Sequence, residues 1–225
     1  MNKNYTRAEV AAAIDHAVLK PNMTASEIEK DVAMCIREKV ASVCVRPCDI
    51  SLVAGLLRGS GVKVSCVLSF PHGADSGTVK VFQAEQAILA GAEEIDMVMN
   101  IGRFLSGDHE YVKADIRAVA ETAHVAGVTV KVIQESGFLT PKQIAEACEL
   151  SYEAGADFVK TSTGFGPGGA TAEIVDIMIR TVGNRMKIKA SGGIRTWETA
   201  VGYLNQGVDR LGTASTETVL IADIR

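Results

Sequence analysis

One phrase recurs along this chain: an amphipathic helical pattern, a glycine, then a short β-branched strand. It appears as Gly61-Val-Lys-Val-Ser-Cys-Val, Gly91-Ala-Glu-Glu-Ile-Asp-Met-Val and Gly127-Val-Thr-Val-Lys-Val-Ile. It returns as Gly155-Ala-Asp-Phe-Val-Lys, Gly183-Asn-Arg-Met-Lys-Ile-Lys and Gly207-Val-Asp-Arg-Leu-Gly. The glycines stand 24 to 36 residues apart, the length of one βα unit. Each falls where a helix must end, since glycine enters the left-handed C′ conformation without steric cost. The strands that follow are nearly unbroken apolar runs, as expected when both faces of a parallel sheet are covered.

Strands are expected near 14–19, 41–46, 62–68, 94–99, 129–134, 157–160, 186–190 and 208–211, with helices between them and an extra one near 6–13. Thr24-Ala-Ser-Glu27 and Thr140-Pro-Lys-Gln143 read as capping boxes, the proline suiting the first helical position. Eight such units point to a (β/α)8 TIM barrel with an additional N-terminal helix, in one domain spanning 1–225. An open doubly wound sheet is the alternative, but eight units with no inserted subdomain favour closure. The 225 residues suit a compact barrel, which needs about 200 to 250.

The net charge of −4 gives no general attraction to nucleic acid or anionic lipid, so neither is expected as a partner. Five cysteines without a CxxC pair fit free thiols in a reducing, cytoplasmic setting. No apolar run approaches the roughly 20 residues of a membrane span.

Active sites of such barrels lie where the strands end and the βα loops open. The polar residues that interrupt the apolar runs are Asp15, Cys44, Asp96 and Asn100, Lys131 and Glu135, Lys160, Lys189 and Gly212. Lysines on three successive strands, 5, 6 and 7, stand out, because lysine is almost never fully buried unless paired or functional. Lys160 leads into Thr161-Ser-Thr-Gly164, and Lys189 into Ala190-Ser-Gly-Gly193. A lysine becomes a nucleophilic amine when it is desolvated or set beside a second cation. Two lysines on adjacent strands supply that arrangement, though position alone does not say which one attacks. An ion-pair network with Asp15, Asp96 or Glu135 explains them equally well. Asp96 shares its strand face with Glu94, Val98 and Asn100, and near the lysines it would serve as counter-ion or proton carrier. Gly164, the pair Gly192-Gly193, and Gly212-Thr-Ala-Ser215 follow strands 6, 7 and 8, where backbone N–H groups form anion nests or simply tight turns. The four histidines show no metal-ligand spacing, and no metal is expected.

These motifs resemble the 2-deoxyribose-5-phosphate aldolase family. The likeness rests on Phe158-Val-Lys160-Thr-Ser-Thr-Gly164 and Lys189-Ala-Ser-Gly-Gly-Ile-Arg195. It extends to Ile14-Asp-His-Ala-Val-Leu-Lys-Pro21, Ser42-Val-Cys-Val45, Phe70-Pro-His-Gly73 and Glu94-Ile-Asp-Met-Val-Met-Asn-Ile-Gly102. The resemblance implies a cofactor-free class I aldolase that cleaves a small sugar phosphate into two aldehydes and assembles as a homodimer or larger oligomer. It makes Lys160 the Schiff-base lysine, Lys189 the cation that lowers its pKa, and Asp96 the proton-relay acid. Asp15, Lys131, Cys44, Thr161, Gly164, Gly192, Gly193, Gly212 and Ser215 become the substrate-binding set. The chain departs from the family at Ala214, which lacks a phosphate-binding hydroxyl, and at Glu217, which adds a negative charge. Gln134 replaces an apolar residue, and Phe165 stands where some members carry lysine. A related aldolase with another donor or acceptor, and a barrel that binds a sugar phosphate without turnover, are the alternatives.

Overall fold

A computed structural model describes residues 3–221. The outer residues of the expected 1–225 domain, 1–2 and 222–225, lie outside the described residues. Eight strands close on themselves in chain order: β1 (Ile14–Val18), β2 (Ser42–Val45), β3 (Lys63–Leu68), β4 (Glu94–Val98), β5 (Thr129–Ile133), β6 (Phe158–Lys160), β7 (Lys187–Ser191) and β8 (Arg210–Thr213). Every neighbouring pair is parallel, and β1 against β8 closes the ring with Asp15 opposite Gly212 and His16 opposite Thr213. That pairing excludes the open sheet.

The short helix α1 (Arg7–Ala11) precedes the barrel. Helices α2 (Ala25–Glu38), α3 (Ile50–Leu57) and α4 (Gly77–Ala90) follow the first three strands. Two helices, α5 (Ile101–Leu105) and α6 (His109–Val125), occupy the gap after β4 where the pattern suggested one. Helices α7 (Pro141–Glu153), α8 (Ala172–Val182), α9 (Trp197–Gln206) and α10 (Thr216–Ile221) complete the units. Thr24 and Thr140 form the expected reciprocal caps with Glu27 and Gln143, and Thr6 forms another with Glu9. Such caps are worth about 1 kcal/mol each. All six glycines of the recurring phrase have positive φ, from 53° to 111°.

Alternation along the strands sorts residues between two environments. Val43, Val45, Ile95, Met97, Val130, Val132 and Ile188 face outward and build the core with the helices. Their strand neighbours face the lumen. Barrel lumens are usually filled by branched apolar side chains. This one is filled largely by charge.

Candidate active site

Four strands deliver the central cluster. Asp96, midway along β4, receives the Lys131 ammonium on Oδ1 at 2.8 Å. Its other oxygen, Oδ2, accepts from both Lys160 (2.8 Å) and Lys189 (2.7 Å). Lys189 also contacts Asp15 Oδ2 at 2.6 Å. Lower in the barrel Lys131 contacts Glu94 Oε2 at 2.6 Å, and Arg210 bridges Asp15 Oδ1 (2.5 Å) and Glu94 Oε1 (3.1 Å). Lys131, Lys189, Asp15, Glu94 and Asp96 are essentially sealed from solvent.

The charges do not balance if all are ionised. Inside the barrel Asp15, Glu94 and Asp96 face four cations, Lys131, Lys160, Lys189 and Arg210, while the half-exposed Lys63 reaches Glu94 from outside at 3.4 Å. An unbalanced buried charge is costly, so the least supported cation is the one that gives up its proton most readily. Burial lowers the Lys160 pKa, the Lys189 cation lowers it further, and Asp96 restores only part. Lys189 is equally buried, but Asp15 and Asp96 together overcome that penalty and raise its pKa. Lys131 is likewise raised, against its burial, by Asp96, Asp15 and Glu94. The carboxylates resist their own desolvation: Lys131, then Lys160 and Lys189, hold Asp96 well below the usual range. Lys189, Lys131 and Arg210 do the same for Asp15. Lys160 is therefore the lysine whose charge is least supported, beside a cation that is held charged, a distinction that sequence position left open.

A cavity of about 460 Å³ opens above the cluster at the C-terminal ends of β1, β2, β6, β7 and β8. Lys160, Lys189, Asp15 and Cys44 form its floor, and Gly164, Gly192, Gly193, Gly212 and Ser215 its walls. A larger cavity of about 670 Å³, between the loops after β3 to β6, contains no lysine, so the amine chemistry belongs to the smaller one.

A family model described as DeoC/LacD family aldolase matches residues 9–209. The chain belongs to that family. It is 48% identical over 210 residues to the deoxyribose-phosphate aldolase of Thermoanaerobacter sp. (strain X514), covering 92% of this chain and 93% of the relative. It is 47% identical over 209 residues to that of Clostridium perfringens (strain SM101 / Type A), covering 93% of each. Among solved structures, an aldolase designated QR15 superimposes with a TM-score of 0.90 at 38% identity, covering 94% of each chain. The deoxyribose phosphate aldolase of Aeropyrum pernix, described as a unique tetramer, gives 0.89 at 31% identity, covering 96% of this chain and 91% of that one.

Two members of the expected binding set do not reach the cavity of this aldolase. Lys131 is buried among Asp15, Glu94 and Asp96, below the floor. Thr161 is a staple between strands: its Oγ1 donates to the Ser191 carbonyl and accepts from the Ser191 amide, both at 2.9 Å. The concern over Glu217 is also corrected. Its carboxylate turns outward to Arg37 (2.8 Å), away from the cavity. Ser215 lines the cavity, but its amide is already donated to Thr213 Oγ1. Cys44 lies 3.9 Å from Asp96 Oδ2, and burial with that neighbouring charge raises its pKa, which disfavours a thiolate. Asp96 itself does not line the cavity and is held just beneath it by Lys131, Lys160 and Lys189.

Arg210 was missed, although period 2 along Arg210-Leu-Gly212 places it on the same face as Gly212. The role of Gly212 is steric. A Cβ there would lie 2.6 Å from Ser191 Cβ and 3.2 Å from Lys189 Cε. Gly212→Ala should displace Lys189 from Asp15 and Asp96 and lower kcat about tenfold or more, as small misplacements at such centres do. Steady-state kinetics with a thermal melt tests this; an unchanged kcat in a folded variant would refute the packing argument. Gly192 has a related constraint, with φ of 88° and an added Cβ 2.7 Å from Gly169 Cα. The glycine pair thus serves loop packing as well as any anion.

Proposed function

We propose that this chain is a deoxyribose-phosphate aldolase of class I, cleaving 2-deoxy-D-ribose 5-phosphate reversibly to acetaldehyde and D-glyceraldehyde 3-phosphate. The observation that carries the reading is the depressed Lys160 amine, facing the cavity beside the charged Lys189.

The Lys160 amine adds to the substrate aldehyde, and loss of water gives a protonated imine. That cation forms 2.8 Å from where Asp96 already holds a negative charge, so attraction grows as the imine forms. A base removes the proton of the C3 hydroxyl, the C2–C3 bond breaks, and its electron pair passes into the imine as an enamine. Glyceraldehyde 3-phosphate leaves. Protonation of the enamine carbon and hydrolysis of the imine then release acetaldehyde and regenerate the amine. Asp96 and Lys189 exchange protons across their 2.7 Å contact and act as the relay. Asp15 and Arg210 hold Lys189 charged and in place. The loops carrying Gly164, Gly192, Gly193, Gly212 and Ser215 receive the rest of the substrate.

The same reading places residues 1–225 in one catalytic domain, working in the cytoplasm as a homodimer or larger assembly without nucleic acid. It accords with five free cysteines and with the absence, among the described residues, of a helix long and apolar enough to cross a membrane. The Aeropyrum relative is described as tetrameric, which supports an oligomer here.

Borohydride reduction with acetaldehyde, followed by peptide mass spectrometry, tests the mechanism. The adduct is expected on Lys160 alone. No adduct on any lysine, with acetaldehyde or 2-deoxyribose 5-phosphate, would instead support a barrel that binds without turnover. Asp96→Asn should stop proton exchange at the methyl carbon of acetaldehyde; unimpaired exchange removes Asp96 from the relay.

A further inference from the structure

One side chain outside the cluster holds a whole segment of the cavity wall. The loop after β1 contributes Leu19 and Lys20 to that wall. Arg46, just beyond β2, donates from its guanidinium to three carbonyls of this loop: Nη1 to Lys20 (3.0 Å) and Pro21 (2.9 Å), and Nη2 to Met23 (3.2 Å). Its Nε donates to Asp49 at 2.6 Å, which fixes the plane of the fork. Immobilising the backbone of Lys20 in this way gives its long side chain a fixed base beside the cavity.

The position of that base is informative. In the closed ring β1 lies next to β8, with His16 opposite Thr213, so the Lys20 loop flanks the loop carrying Ala214 and Ser215. That β8 loop is short of donors. Ala214 has no hydroxyl, and the Ser215 amide is spent on Thr213. The β6 side of the cavity presents the uncharged Phe165. The nearest acid of the β8 segment, Glu217, is held by Arg37. Lys3 pairs with Glu9, and Lys113 with Glu110 and Glu153. Lys20 pairs with no carboxylate among the described residues and lines the cavity.

We propose that Lys20 is a specificity-determining residue that binds the phosphate of the substrate, and that Arg46 is the positioning residue that sets it there. The inference rests on the aldolase reading above. A phosphate monoester carries nearly two negative charges at neutral pH, and a charge-assisted hydrogen bond from Lys20 replaces donors that the β8 loop lacks.

The experiment compares kcat/KM for 2-deoxyribose 5-phosphate and for unphosphorylated 2-deoxyribose. Lys20→Gln should lower the ratio of the two about tenfold or more, chiefly through KM of the phosphorylated sugar. Lys20→Arg should largely restore it. Arg46→Met should lower the same ratio, and the double variant should fall no further than Lys20→Gln alone, because the second residue acts through the first. A ratio unchanged in Lys20→Gln overturns the assignment, and full additivity in the double variant overturns the positioning role. If the parent protein forms no imine and cleaves neither sugar, the aldolase reading itself has failed, an outcome distinct from either.

Discussion

Lys160→Met should abolish turnover, by on the order of 10⁴-fold or more in kcat, while leaving the protein at least as stable as its parent at pH 7. The first half follows from chemistry, since Lys189, the other lysine on the cavity floor, is held charged by Asp15 and Asp96. The second follows from the charge count. Asp15, Glu94 and Asp96 are matched by Lys131, Lys189 and Arg210, and Lys160 is the surplus cation. Its folded pKa lies below that of the unfolded chain, so folding at neutral pH must expel a proton or bury an unmatched charge. Each unit of that depression costs about 1.4 kcal/mol at pH values below both pKa values; the cost fades as pH rises above the folded pKa and is gone above the unfolded value of about 10.4. Methionine has similar length and no charge, so it removes the cost. Urea unfolding of both proteins at pH 7 and pH 10 should show the variant's advantage at pH 7 and its loss at pH 10. A variant much less stable at pH 7 would mean that Lys160 is a needed member of the ion network, not its surplus.

The fold was legible because its signals are local. A glycine that ends a helix and a threonine that starts one act within a turn of the chain, and Gly91, Gly207, Thr24 and Thr140 do so here. The three lysines and Asp96 were legible for another reason: charge in an apolar strand is conspicuous wherever the strand lies. The pairing among them was not. Asp15, Glu94, Lys131, Lys189 and Arg210 are distant in the chain and meet only because the ring closes, so the matching of cations to acids is a property of the barrel. The same closure decides that Lys131 sits below the floor and that Thr161 staples β6 to β7. Glu217 shows the converse: a residue near the site in sequence points away from it, because Arg37 on α2 provides a partner outside.

Lys189→Met should lower the rate at pH 7 and move the pH profile to higher pH. With Lys189 gone, the buried cations facing the three carboxylates are Lys131, Arg210 and Lys160, so Lys160 becomes the third needed one. The shift has a definite sign. Lys189 lowers the Lys160 pKa directly, and it also shares the Asp96 oxygen that Lys160 uses. Losing it removes a repulsion and frees an attraction, and both changes raise the Lys160 pKa. The reactive form is the neutral amine, whose fraction at a fixed pH below the pKa falls about tenfold for each unit of rise. Activity lost at pH 7 should therefore return in part at pH 9 to 10, raising the variant relative to the parent. Removing one partner of a buried pair ordinarily costs about 3–5 kcal/mol, but here Lys160 can take up the charge, so the melting temperature should fall less than for Asp96→Asn. A rate that falls equally at every pH, with the profile in place, would mean that Lys189 acts on the substrate itself and that burial alone keeps Lys160 uncharged.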